Sequence, residues 1–194
     1  MAPVDPIELF RRWYGDALRA AVARPDAMAL STVGPGGRPA VRMVLLSSFD
    51  ERGFVFHTNY RSRKGEEIAA SPRVALVLWW EPLARQVRLE GRAEKTGAEE
   101  SDAYFAGRPR GSQLGAWASE QSAVIPDRAV LEERLREAER RYAGGPVPRP
   151  PHWGGYRVVP DAIEFWEGRE SRLHDRVRYQ RLEGGGWRVE RLAP

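Results

Sequence analysis

The chain predicts an antiparallel β-barrel of the α+β class, and three observations carry that prediction. Short runs rich in Val, Leu, Phe and Trp recur along the sequence, and turns containing Gly or Pro separate them, as hairpin-joined strands require. Helical patterns are segregated between these runs instead of alternating with them one for one. No glycine-rich strand-to-helix fingerprint of the GxGxxG or Walker kind is present, which disfavours a parallel doubly wound sheet.

Asp5-Pro6-Ile7-Glu8 reads as a helix start, with Asp as the cap, Pro in the first helical position and Glu placed to close a capping box. The pairs Leu9/Phe10, Trp13/Tyr14, Ala17/Leu18 and Ala21/Val22 continue the helical period to near Arg24-Pro25. Strands follow at 27–33 and 39–47 around a turn at 34–37. The stretch from Arg42 to Lys64 reads as a Val/Leu strand, a turn at 48–53, a return strand at 54–58 and a basic corner at 59–64. That corner leads into a helix at 65–70. Free backbone N–H groups at such a start, beside Ser62, Arg63 and Lys64, make a seat for an anion.

Ser71-Pro72 stops this helix, 74–80 is a buried strand, and 86–93 alternates polar with apolar as a half-exposed strand does. Helices are expected at 98–107, 112–119 and 126–142. The narrow stripe of Leu131, Leu135, Ala138 and Tyr142 places the last on the surface. A Pro-rich extended link at 144–151 leads to strands at 156–159, 162–166, 177–182 and 187–192. Residues 1–194 thus read as one domain, with a helical insertion at about 98–142 and closing strands at about 152–194.

Composition narrows the function. With 42% hydrophobic residues, seven Trp, six Tyr and six Phe, the chain can build an aromatic core. The lack of cysteine excludes disulfides, thiolate nucleophiles and zinc–thiolate sites, and suits a reducing cytoplasm. The longest apolar run, 74–80, is far short of the roughly 20 residues of a membrane span, and the N-terminus has no apolar signal core. A soluble, cytoplasmic protein without a membrane partner is expected. The net charge of +4 comes from arginines scattered among acids, which favours a small anionic ligand over nucleic acid.

The three histidines, His57, His152 and His174, form no HExxH or paired motif, so no metal is expected, and no GxSxG elbow is present. Arg108-Pro109-Arg110-Gly111-Ser112 offers forked donors beside a hydroxyl, a complement to phosphate or a solvated loop. In an extended chain Arg172, His174 and Arg176 share one face, which either an anion or Glu170 and Asp175 would neutralise. Trp166 could stack on a flat ring or fill the core. These residues point to a barrel with basic, aromatic-rich surfaces suited to a planar phosphorylated ligand.

At these same residues the chain closely resembles the pyridoxine/pyridoxamine 5′-phosphate oxidase family, along nearly its whole length. The motifs are RMVLL at 42–46, SRK at 62–64, RQV at 85–87, GRPR at 107–110, SQLGAWAS at 112–119, QS at 121–122, IEFWEG at 163–168 and RLHDR at 172–176. The resemblance implies an FMN-binding split barrel, a homodimer with two FMN sites at the subunit interface. The positions implied for FMN are Arg42, Met43, Val44, Leu45, Leu46, His57, Thr58, Arg63, Lys64, Gln86, Gln121, Ser122, Trp166 and Arg176. Those implied for the substrate are Ser47, Tyr104, Arg108 and Ser112, with Arg172 and His174 as catalytic residues over the substrate ring. The implied reaction oxidises pyridoxine or pyridoxamine 5′-phosphate to pyridoxal 5′-phosphate while O2 is reduced to hydrogen peroxide.

The chain departs from the family pattern at three places. Ser47 stands where a Lys contacts the substrate phosphate, which removes a charge-assisted bond worth about 1.5–3 kcal/mol. His57 stands where a Tyr is common. The chain starts almost at its first helix, so the family's N-terminal arm over the substrate is expected to be missing. Ser47 and the short start also resemble the branch that oxidises reduced tricyclic intermediates in phenazine biosynthesis. A flavin-binding protein without turnover is a further alternative, against which the intact RLHDR stands.

Overall fold

A computed structural model describes residues 5–194. The opening residues 1–4, part of the N-terminus read above, lie outside the described residues. In chain order the elements are α1 (Pro6–Arg19), β1 (Ala27–Val33), β2 (Pro39–Leu45), β3 (Ser48–Asp50), β4 (Gly53–Asn59) and α2 (Arg63–Ala70). Then come β5 (Arg73–Trp80), β6 (Arg85–Lys95), α3 (Ala98–Ala106), α4 (Arg110–Ala118) and α5 (Ala129–Arg141). The last are β7 (Trp153–Glu167), β8 (Asp175–Arg181) and β9 (Trp187–Arg191).

The strands run in the order β2-β1-β5-β6-β7-β4-β3, with β8 on β7 and β9 on β8, and every pairing is antiparallel. β2 and β3 stand at opposite ends of that order, yet only Leu46 and Ser47 separate them in the chain. The sheet therefore curls until its two ends meet at this link. There Leu46 N donates to Asp26 O and Ser47 N to Val55 O, both at 2.8 Å. The result is the antiparallel split β-barrel with peripheral helices that the motifs imply.

Alternation along the strands sends Met28, Leu30, Leu76, Leu78, Val87, Leu89, Ile163 and Phe165 into the barrel. Asp5 Oδ1 caps α1 by accepting from Ile7 N (2.8 Å) and Glu8 N (3.3 Å), but Glu8 turns to Arg11, so only half of the expected capping box forms. The helix stops at Arg19, short of the expected Arg24, and the left-handed Ala21 (φ 51°) follows it. α1 sets Phe10, fully buried, edge-on against Phe49 and Phe54 at 4.7 and 4.8 Å between centroids. A second, smaller cluster of Phe105, Leu114, Ala138, Val147 and Trp153 holds the helices to β7, with Leu135 and Tyr142 packed against it. α5 lies on the surface, as its narrow stripe predicts.

Three local expectations are corrected. The turn read at 48–53 is itself a hairpin, β3 and β4, with Glu51 and Arg52 at its tip, because the chain crosses from one sheet end to the other after Leu45. The strands read at 156–159 and 162–166 are one strand, β7. β6 pairs along its whole length on one edge, while on the other edge β4 takes 153–158 and β8 takes 162–167. Pro160 falls where those partners change and where the β6 register shifts at Glu90/Gly91, so its missing N–H leaves no ladder bond unmade. Finally, Arg172, His174 and Arg176 do not form an extended row. Residues 170–172 make a short 3₁₀ turn with left-handed Ser171 (φ 54°) and Arg172 (φ 60°), and β8 begins only at Asp175.

Candidate functional site

The first part of the site is the start of α2. Ser62 is its N-cap, fully buried, and its Oγ accepts from Gly65 N at 3.3 Å. Arg63 and Lys64 thus lie inside the first helical turn and not ahead of it, as the sequence had implied. Lys64 is buried, and its Nζ donates to Gln121 Oε1 (2.7 Å), Ser62 Oγ (2.9 Å) and Thr58 Oγ1 (3.0 Å). These oxygens are all neutral, so this ammonium is desolvated without a carboxylate on it. Burial, with Arg42 nearby, pushes its pKa down to about 8. Ser122, itself left-handed (φ 77°), accepts from Arg63 N at 3.1 Å and ties the 119–122 loop to the helix start. The geometry is a cationic seat suited to an anion.

Beside it lies a residue the sequence reasoning missed. Glu67 is buried and accepts from Thr32 Oγ1 (2.5 Å), Arg42 Nη2 (2.8 Å) and Arg63 Nε (2.8 Å). Arg42 also donates to Thr32 Oγ1. The Thr32 hydroxyl first, then the two guanidinium groups, hold the Glu67 carboxyl below its usual pKa. The i,i+4 spacing of Arg63 and Glu67 is the one sequence signal for this pair. Of the other RMVLL residues, Val44 and Leu46 are buried in the core, whereas Met43 and Leu45 project outward, 62% and 45% exposed.

The second part is a cavity of about 350 Å³ lined by His57, Thr58, Arg108, Ser112, Gln121 and Trp153, among others. His57 on β4 stacks flat on Tyr104 of α3, with centroids 3.8 Å apart and planes 6° apart, and its Nδ1 lies 2.8 Å from Ser47 Oγ. Arg108 lies over the Trp153 ring at 4.6 Å. Ser47, Tyr104, Arg108 and Ser112, four expected substrate positions far apart in sequence, are therefore drawn around His57 and its cavity.

The third part is a row across four strands: Trp79, Gln86, Trp166 and Arg176 are successive register partners on β5, β6, β7 and β8. His174 lies 4.5 Å from Trp166 between ring centroids, and its Nδ1 accepts from Arg169 N at 3.1 Å. Arg172 is exposed on the preceding turn. Arg176 Nε donates to Glu164, a buried carboxylate that also receives Arg88, both at 2.7 Å. Glu164 was also missed as a site residue, although it alternates with Trp166 along the strand. Among the described residues, no hydrogen bond or ring contact joins this row to the α2 seat. No group of His, Asp and Glu that could hold a metal occurs among them either.

Comparison with known proteins adds three findings. Residues 14–142 match the family model described as pyridoxamine 5′-phosphate oxidase, and residues 153–194 match that of the pyridoxine 5′-phosphate oxidase C-terminal dimerisation region. The chain is 63% identical over 193 residues to a pyridoxine/pyridoxamine 5′-phosphate oxidase of Rubrobacter xylanophilus, covering all of this chain and 88% of the relative. It is 58% identical over 195 residues to the protein of that name in Burkholderia cenocepacia, covering 91% of it. Among solved structures, PhzG of Burkholderia lata 383, in complex with tetrahydrophenazine-1-carboxylic acid, superposes with a TM-score of 0.93 at 35% identity. That match covers all of this chain and 94% of PhzG.

Proposed function

Since the chain belongs to the pyridoxamine 5′-phosphate oxidase family, we propose that it is the FMN-dependent oxidase converting pyridoxine or pyridoxamine 5′-phosphate to pyridoxal 5′-phosphate, with O2 reduced to hydrogen peroxide. The observation that carries this reading is identity of 63% over the full chain with a relative of that name; it is supported by Arg108 and Ser112, expected at the substrate phosphate, lining one cavity with His57, on which the expected Tyr104 stacks.

The donor set fits FMN. The buried Lys64 ammonium has only neutral acceptors, and Arg63 projects beside it at a helix start, which suits a phosphate dianion. Trp166 and Gln86 offer a flat apolar face and an amide for a conjugated ring. Arg42, Thr58, Gln121 and Ser122 complete the phosphate side, and Arg176, held by Glu164, supplies a cation to the ring side. When bound, FMN supplies the two-electron acceptor.

The residues of the chain do the rest. Arg108, Ser112 and Tyr104 hold the substrate phosphate, so that the ring is oriented before reaction, and Arg172 and His174 cover it. With Nδ1 occupied by Arg169 N–H, the neutral His174 ring keeps its proton on Nε2 and can donate it. The protein works as a homodimer, in keeping with its C-terminal dimerisation region. The outer face of β2 and β5, with Val41, Met43, Leu45 and Trp79 exposed, is the surface that meets the second copy.

A second reading is favoured by two observations: Ser47 stands where the family lysine is expected, and the PhzG fold is very similar. Oxidation of a dihydro-aromatic intermediate is that reading. Anaerobic mixing of the FMN-loaded protein with pyridoxine 5′-phosphate separates the two. Flavin bleaching, then peroxide on admitting air, is expected. Bleaching only by a dihydro-aromatic compound would select the second reading, and no bleaching by any donor would reject both.

A further inference from the structure

The two departures at positions 47 and 57 touch each other. Ser47 Oγ and His57 Nδ1 are 2.8 Å apart, one on the link that closes the barrel and the other on β4. Two side-chain polar atoms among the described residues are buried with no hydrogen-bond partner, and both are in this corner: His57 Nε2 and Arg108 Nη1. Native interiors leave few such atoms unpaired, so two beside one cavity set this corner apart, and Arg108 Nη1 has a donor to give to an anion there. The backbone makes room for the imidazole. His57 faces Gly155 across the β4–β7 ladder, and a Cβ there would stand 3.1 Å from Nε2.

We infer that Ser47 and His57 act as one unit that reads the substrate phosphate through a proton. A dianion bound beside Arg108 brings a proton from solvent onto His57. Nδ1–H then donates to Ser47 Oγ, and the Ser47 hydroxyl turns its own proton to the anion. The inference rests on the phosphate-ester substrate proposed above. It makes the pair, and not a permanent lysine charge, the second recognition element of the pocket.

The surroundings of His57 support this. The charged group facing it is Arg108, from the turn after α3, and the other titratable neighbour is Tyr104 of α3. Ser47, Thr96, Trp153 and the Gly155 backbone, from the remaining elements, are neutral. With no anion present, burial first and Arg108 second push the His57 pKa down to about 4, so the ring is neutral. A dianion against Arg108 cancels the second cause and opposes the first, which raises that pKa in the complex. Binding therefore takes up a proton, and affinity rises as pH falls. Between pH 8.5 and 7 a phosphate ester stays largely dianionic, since its second pKa is about 6. Full coupling there tightens binding by about tenfold per pH unit.

The test titrates the FMN-loaded protein with pyridoxal 5′-phosphate, by calorimetry at pH 7.5 in two buffers of different ionisation heat. The ring ¹⁵N signals of the three histidines are followed in parallel. Net proton uptake is expected, with one ring passing from neutral to imidazolium on binding. His57→Phe should lose that signal, the uptake and the pH slope, while Ser47→Ala should bind about three- to tenfold more weakly. Wild-type protein that binds with His57 still neutral, or equal uptake in wild type and His57→Phe, would overturn the inference and leave the substrate reading standing. No binding of pyridoxal 5′-phosphate at any pH would overturn both. The wild-type ring signals decide the matter even if a variant fails to fold.

Discussion

Lys64 and Glu67, one turn apart on α2, divide the work of the proposed phosphate seat. Glu67 gives Arg42 and Arg63 a shared carboxylate, while Lys64 is left with three neutral oxygens. Lys64 is thus the cation that gains most from a phosphate. The sign of the pH effect follows: free Lys64 is protonated below about 8, and a bound dianion raises its pKa. FMN affinity should be level between about pH 7 and 8, where the phosphate is largely dianionic, and fall above pH 8, read by quenching of flavin fluorescence. Lys64→Met should remove that step and weaken binding about ten- to a hundredfold, the equivalent of one charge-assisted bond. An unchanged pH profile would remove Lys64 from the phosphate. Ser62, Arg63 and Lys64 were legible in the sequence because a helix start with basic residues has a local signature, whereas Ser122 was implied only by the family resemblance. Glu67 was not. An acid four residues after an arginine ordinarily marks a solvated helix face, and only the barrel brings Thr32 and Arg42 over it.

At the scale of elements, β7 decides the architecture by changing partners midway. Gly91 sits opposite Pro160 at the register shift, and a Cβ on it would stand 2.1 Å from Val159 O. Gly91→Ala should therefore push β6 and β7 apart and cost about 1–3 kcal/mol, the usual penalty of overpacking. A thermal melt checks this, and an unchanged midpoint would show that the ladder yields at no cost. Most strands were legible: β1 and β5 from apolar runs bounded by turn residues, and β6 from polar–apolar alternation that survives almost to the residue. The two failures share a cause. Pro160 looks like a strand break from its own backbone chemistry, and Asp50-Glu51-Arg52-Gly53 looks like a whole loop. Whether a strand continues through such residues depends on which partner lies beside it, and that is a long-range property.

For the whole molecule, the α2 seat and the β5–β8 row remain separate within one chain, and the outer face of β2 is exposed. Val41, 71% exposed, is the most open of its apolar residues. Val41→Glu should shift the protein from dimer to monomer in size-exclusion chromatography with light scattering, and lower FMN occupancy with it. A dimer with full flavin content would move the interface elsewhere. Motifs in the sequence named residues of both groups, and only the family resemblance, with FMN at a subunit interface, implied that one chain does not unite them, because a linear pattern does not encode which surface is left bare. The closure of the sheet has a consequence in time. β4, complete by residue 59, has no ladder neighbour besides the three-residue β3 until β7 arrives at residues 153–158. On a ribosome, then, the N-terminal half waits for nearly a hundred residues of synthesis before its barrel can close. During that wait the strand that carries His57 and Thr58 is an open edge, so the nascent chain needs shelter before it needs its cofactor.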